Sequence, residues 1–218
     1  PRLPEMFGKI AANGFSSFII DIAMGVLTML FNRQIMRCLG SDALAVYAVI
    51  VNISTFVQCC AYGVGQAAQP IISQNYGAGR SDRVSQLLRY SLISCAVVGA
   101  AWTAAVGALP NGFIKLFMSP TAAVLAIAPE IMRIYAVSFL LLPYNVFSTY
   151  YFQAMLRPGT SVIISVSRGI VISGALIMLL PLLLGSNSVW FAMPIAEAAT
   201  AVYVTISIAR VQKAFAKG

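Results

Sequence analysis

Two carboxylates sit where an acid is hard to accommodate: Asp21 and Glu197 each lie inside a long apolar stretch of a 218-residue chain with only six acidic residues. A carboxylate in an apolar medium takes up a proton, pairs with a cation or faces water. Each of these states is a way of handling a proton, a metal cation or a charged solute. At 3.6 residues per turn Asp21 shares a helical face with Gly14, Ser17, Gly25, Thr28 and Asn32, within an arc of about 80°. A second apolar stretch carries a comparable stripe, Asn52, Thr55, Cys59, Gly63, Gln66, Pro70 and Ser73, and a third places Ser138, Asn145 and Thr149 on one face. Such stripes either line a solute cavity or pack helix on helix, since small residues permit close approach.

The two acids keep several readings open. Asp21, about seven residues into its helix and so on the order of 10 Å from the helix end, contacts a coupling ion or substrate, pairs with Arg168, or marks a solvated helix end. Glu197 follows Pro194 by three residues, and the proline leaves a backbone carbonyl without its donor. Glu197 is then either a proton-carrying group or a neutral acid donating to a carbonyl. Glu130 follows Pro129 in the first turn expected of its helix, where the helix dipole favours an anion, and with Arg133 it reads as a structural pair. The candidate coupling-ion or substrate residues are therefore Asp21, Ser17, Thr28, Asn52, Gln66, Asn145 and Glu197. Gly63, Pro70, Gly77, Pro143, Pro194 and Arg168 are read as structural or hinge residues. Gly63, Gly65, Ala67 and Ala68 allow close backbone contact, Pro70 can bend its helix, and Gly77 and Gly79 allow a left-handed exit.

Other chemistries find no residues to carry them. The chain has no histidine and four cysteines, Cys38, Cys59, Cys60 and Cys95, without metal-ligand spacing; Cys59 and Cys60 read as small buried hydrophobes. No phosphate-binding loop, nucleophile and base pair or nucleotide fingerprint is present, so the chain is not expected to be an enzyme. No cofactor or metal is expected beyond a transported proton or sodium ion.

The elements that must position these residues follow from composition. Hydrophobic residues make up 60% of the chain and charged residues 9%, and the mean hydropathy is +0.86. This balance excludes an ordinary water-soluble domain and predicts an all-α integral membrane protein. A bilayer core needs about 20 apolar residues per helix, and six segments qualify, at about 14–36, 44–72, 84–109, 129–155, 159–184 and 188–211. Turn-forming clusters separate them, and residues 115–118 and 120–128 are expected to form a short interfacial piece before the fourth span. The first ten residues, PRLPEMFGKI, read as a loop leading into a helix, and the sequence is expected to be an excerpt of a longer protein. With the N-terminus cytoplasmic, ten basic residues (Arg2, Lys9, Arg80, Arg83, Arg89, Arg157, Arg168, Arg210, Lys213 and Lys217) fall on or toward the inside. Four (Arg33, Arg37, Lys115 and Arg133) fall outside. Both termini are then cytoplasmic. The net charge of +8 is accounted for by topology and anionic lipid, with no nucleic-acid partner.

Three blocks, GVGQAAQPIISQNYGAG at 63–79, IYAVSFLLLPYNVFSTYYFQAMLRP at 134–158 and VWFAMPIAEAATA at 189–201, resemble the multidrug and toxic compound extrusion (MATE) transporters. The first is the most specific, through Gln69-Pro70, Ser73 and Asn75-Tyr76-Gly77-Ala78. The resemblance extends over essentially the whole chain and implies twelve helices in two six-helix lobes, of which this is the C-terminal one. It also implies export of organic cations or other amphipathic compounds in exchange for protons or sodium ions, from a central cavity that opens alternately to each side. Membrane lipid, a small-molecule substrate and an N-terminal six-helix lobe of the same polypeptide are the implied partners, and a bacterial inner membrane the implied location. Asp21 occupies the position in the lobe's first helix where many members carry a polar or acidic residue. The acid that one branch carries midway along the fourth helix is replaced here by Leu140 to Tyr144, which argues against a sodium site of that kind. A lipid-linked oligosaccharide flippase of the wider superfamily and a non-transporting binding or assembly module are the alternatives.

Overall fold

The computed structural model of the chain describes residues 3–215, with side chains from Gly25 onward. Among these residues the structure is helical throughout, with no strand. A continuous helical run, Leu3–Gly77, is broken at Gly40 (φ 84°, ψ −171°), a conformation open essentially to glycine alone. The break yields two spans, α1 (3–39) and α2 (41–77). They are followed by α3 (Ser81–Ala108), the short α4 (Pro110–Phe117) and α5 (Ala122–Ala154). The last two are α6 (Pro158–Leu184) and α7 (Ser186–Phe215). Five helical stretches are long and apolar enough to cross a membrane; the first, Gly25–Gly77, is 53 residues, about 80 Å, and is broken at Gly40, so it holds two crossings and the spans number six.

Three local expectations are corrected. The backbone is already helical from Leu3, so residues 3–10 are helix and not a loop. Residues 110–117 form α4, started by Pro110 at N1, while 122–128 belong to α5. Thr121 caps α5, accepting from the Val124 N–H at 3.3 Å, which starts the helix a full two turns before Pro129. Glu130 consequently lies in the helix interior, and Arg133 donates through Nε to the Gly107 carbonyl at 3.1 Å, not to Glu130.

The exit from α2 is a Schellman motif: the Gly79 N–H donates to Tyr76 O at 3.0 Å and the Arg80 N–H to Asn75 O at 2.9 Å. Gly79 takes the left-handed conformation (φ 69°) and Gly77 stays helical. The end of α5 repeats the pattern with a non-glycine residue, Leu156 (φ 56°), as Arg157 N–H donates to Phe152 O at 2.9 Å. Pro158 then opens α6 at its first turn, where a missing N–H removes nothing.

Helix α5 is the centre of the lobe. It packs against the 3–77 run, α3, α4, the first part of α6 and α7. Its most apolar window is 44% buried, against 22–39% in the other membrane-length helices. Two apolar clusters share it. One gathers Phe31, Tyr47, Ile50, Tyr135, Phe139 and Trp190, and the other Ile72, Leu88, Phe147, Tyr151 and Val204. Lipid is as apolar as these side chains, so close packing must hold the helices together. Gly99 shows how close: a Cβ there would lie 2.7 Å from the Leu140 carbonyl oxygen and 2.9 Å from that of Phe139. Pro143, four residues after Phe139, has no N–H to offer that second carbonyl, and α3 presses its backbone against the bared segment.

Candidate functional site

The inward face of α2 is Ile53, Val57, Ala61, Gly65, Ala68 and Ile72, all buried at three- and four-residue spacing. That assignment leaves the polar stripe on the other side: Asn52, Thr55, Cys59, Gly63, Gln66, Pro70 and Ser73 are all exposed. Asn52 Nδ2 and Thr55 Oγ1 donate to the carbonyls of Ala48 and Val51, both at 2.9 Å. These bonds engage the Thr55 hydroxyl and one of the two Asn52 amide N–H groups within the helix. Cys59 and Cys60 are likewise exposed, contrary to the buried reading, because neither falls on the inward face; only Cys95 is buried. Gly63 meets nothing within 4 Å, whereas a Cβ on Gly65 would strike the Tyr150 ring at 2.5 Å. Close approach therefore resides at Gly65, and Gly63 belongs to the open stripe.

The third stripe points the other way. Ser138 and Asn145 are buried inside the lobe and Thr149 is half-buried. Ser138 Oγ donates to Tyr135 O at 2.7 Å and Thr149 Oγ1 to Val146 O at 2.8 Å. Ser138 and Asn145 lie on the side of α5 that packs into the lobe, away from its exposed stripe of Ala126, Glu130, Arg133, Val137 and Leu140, so they cannot share an outer wall with α2. Pro143 is buried with them, and Pro194 lies half-buried just after the junction where α7 passes from 3-10 (Ser186–Phe191) to α geometry (Ala192–Phe215).

Glu197, fully buried, lies between two of these elements. Its Oε1 accepts from Arg168 Nε at 2.6 Å, its Oε2 from Asn145 Nδ2 at 2.6 Å, and its backbone carbonyl from the same Asn145 nitrogen at 2.9 Å. The expected bond from a neutral glutamic acid to a carbonyl is replaced by an ion pair, the one salt bridge among the described residues. Asn145 Oδ1 is buried with no partner. Arg168 reaches Glu197 from a π-helical turn, Ser167–Val171, in the middle of α6; π turns inside α-helices recur at functional sites. Measured from opposite ends of their spans, both residues come roughly 15–20 Å in, near the middle of a ~30 Å core. Two opposite charges at one depth in consecutive spans are the signal of this pair in the sequence, and a pairing of Arg168 with Asp21 leaves that signal unused.

Beside this pair lies a cavity of about 180 Å³ between α1, α2, α5, α6 and α7. Arg168 and Gly169 form one wall, with Thr28 and Phe31 of α1 and Tyr135 of α5. Tyr47, Val51, Ser54 and Gln58 line it from α2, roughly a quarter turn round that helix from the stripe, and Thr55 belongs to both. Of the candidate residues, Thr28 and Arg168 meet at this cavity, Asn145 and Glu197 meet behind it, and Asn52 and Gln66 lie on the outer face of α2. Asp21 and Ser17 lie on α1, but their side chains fall outside the described residues.

The MatE family profile matches residues 16–179, about three quarters of the chain. No curated protein sequence matches it. Among solved structures, a multidrug resistance MATE family transporter of the MOP superfamily in its outward-facing conformation superposes with a TM-score of 0.87 at 17% identity, over 100% of this chain and 49% of that one. An inward-facing conformation of such a transporter gives 0.86 at 17% identity, over 100% and 50%. A MOP superfamily transporter from Pyrococcus furiosus, whose binding pocket is described as reversed in polarity, gives 0.87 at 17%, over 100% and 49%. The chain thus spans about half the length of the structures it matches. With six membrane helices arranged as in one half of those proteins, this integral membrane chain belongs to the MatE family of transporters.

Proposed function

We propose that the chain is the C-terminal lobe of a cation-coupled antiporter that exports organic cations or other amphipathic compounds by alternating access, in exchange for protons or sodium ions. The observation that carries this reading is the α2 stripe. Seven small or polar positions on one membrane helix are all exposed, which is unfavourable against lipid and favourable against a water-filled cavity or a second lobe. Transporters built from two parallel repeats bind solute between bundles that rock against each other, and this face supplies one wall. The nearly equal fit to outward- and inward-facing relatives is in keeping with a lobe that moves as a unit. Asp21, on the helix that also brings Thr28 to the cavity, is assigned the coupling-ion or substrate contact. The basic residues favour cytoplasmic termini in a bacterial inner membrane.

The test is efflux by the two-lobe transporter carrying Asp21→Asn. Ion-coupled efflux should fall sharply while membrane insertion is unchanged. Wild-type efflux with an unaltered dependence on the ion gradient would remove Asp21 from the mechanism.

A further inference from the structure

The Arg168–Glu197 pair is oriented with respect to the 180 Å³ cavity. Glu197 is fully buried and lines no part of the cavity, and both its carboxylate oxygens accept hydrogen bonds, from Arg168 and Asn145. Arg168, with 14% of its side chain exposed, is a wall of the cavity. Its Nε is engaged by Glu197, and among the described residues the four N–H groups of its two terminal nitrogens have no recorded acceptor. The pair therefore presents a positive, donor-rich end to the cavity and keeps its negative end behind. The π turn at Ser167–Val171 fixes this presentation by displacing Arg168 from a regular helical path. Leu27, Phe31, Tyr47 and Leu142 give the cavity an aromatic and aliphatic surface beside the polar Thr28, Ser54, Thr55 and Gln58. In size the cavity is close to the ~150 Å³ apolar cavity known to take benzene.

We propose that this cavity is a binding site for a small aromatic or branched monocarboxylate, with the carboxylate on Arg168 and the hydrocarbon body against Phe31 and Tyr47. A guanidinium matches a carboxylate in geometry as well as charge, and at 14% exposure the Arg168 guanidinium makes such a contact with less screening than in bulk water. An organic cation of the same shape meets a like charge. The inference goes beyond the export reading and does not depend on it, since it concerns equilibrium binding to one lobe.

The experiment measures saturable binding of radiolabelled benzoate to the protein in lipid nanodiscs, corrected for empty nanodiscs. Benzamidine, protonated and nearly isosteric, serves as the competitor of opposite charge. Benzoate should bind, and benzamidinium should compete at least ten-fold more weakly. The double variant Arg168→Met/Glu197→Gln removes both charges together and should weaken benzoate binding at least ten-fold. Thr55→Trp, at an exposed lining position, should block the cavity with the ion pair intact and reduce binding similarly. Benzamidinium binding as tightly as benzoate, benzoate affinity unchanged in both variants, or no saturable benzoate binding would each overturn the assignment. None of these results alters the efflux expected of Asp21→Asn, so the two readings fail separately.

Discussion

Glu197→Gln keeps the shape of the buried side chain, and keeps an acceptor for Asn145, but removes the charge that balances Arg168. Arg168 is then a guanidinium in the middle of a span, with only 14% of its side chain exposed and its 2.6 Å partner neutral. Removing one member of a buried pair costs about 3–5 kcal/mol, because the survivor's desolvation is no longer offset. Arg168→Met should cost a similar amount for the same reason. The double variant Arg168→Met/Glu197→Gln leaves no charge behind, and replacement of a whole buried pair is commonly neutral to within about 1–2 kcal/mol. The double variant should accordingly be more stable than either single, with a coupling of at least about 2 kcal/mol. Reversible unfolding in mixed detergent and dodecyl sulfate micelles reads this directly, followed by fluorescence of Trp190, which is 2% exposed in the native lobe. Additive costs, or single-variant costs of only ~1 kcal/mol as at a solvated surface pair, would refute the reasoning.

Gly99→Ala should destabilise the lobe by about 1–3 kcal/mol in the same assay, since its Cβ would lie 2.7 Å from a backbone oxygen of α5. Gly107→Ala in the same helix, where nothing lies within 4 Å, should be neutral or stabilising. Leu156→Gly should raise stability by up to ~1 kcal/mol, because the left-handed backbone at this 80% exposed position is strained for leucine and relaxed for glycine. For topology, a cysteine placed at exposed Ser186 should react with an impermeant reagent from outside and one at Ser81 should not; the reverse would invert the orientation.

The six spans were legible because hydropathy needs no tertiary information, and Gly79 was legible as a break because its conformation is open to glycine and to little else. Outward placement of the α2 stripe follows from periodicity once the inward face is known. Burial of Ser138 and Asn145 did not follow, because periodicity gives a face but not what that face meets, and the face that carries Asn145 packs against α7. Pro129 misled for a related reason: Thr121 and apolar packing carry the helix through a proline that in isolation reads as a start. The choice of Glu197 as partner to Arg168 depends on which spans are neighbours. That is a property of the fold, and it leaves only the shared depth of two opposite charges as a trace in the sequence.

Whether the chain is one wall of a two-lobe pathway is tested most directly by gradient-driven uptake of an organic cation into proteoliposomes. Two preparations would be compared, this 218-residue chain alone and the same chain joined to a six-helix N-terminal lobe. The account predicts transport by the joined protein, sensitive to Asp21→Asn, and none by the single lobe. Gradient-driven transport by a demonstrably monomeric single lobe would contradict it and require a complete pathway within six helices.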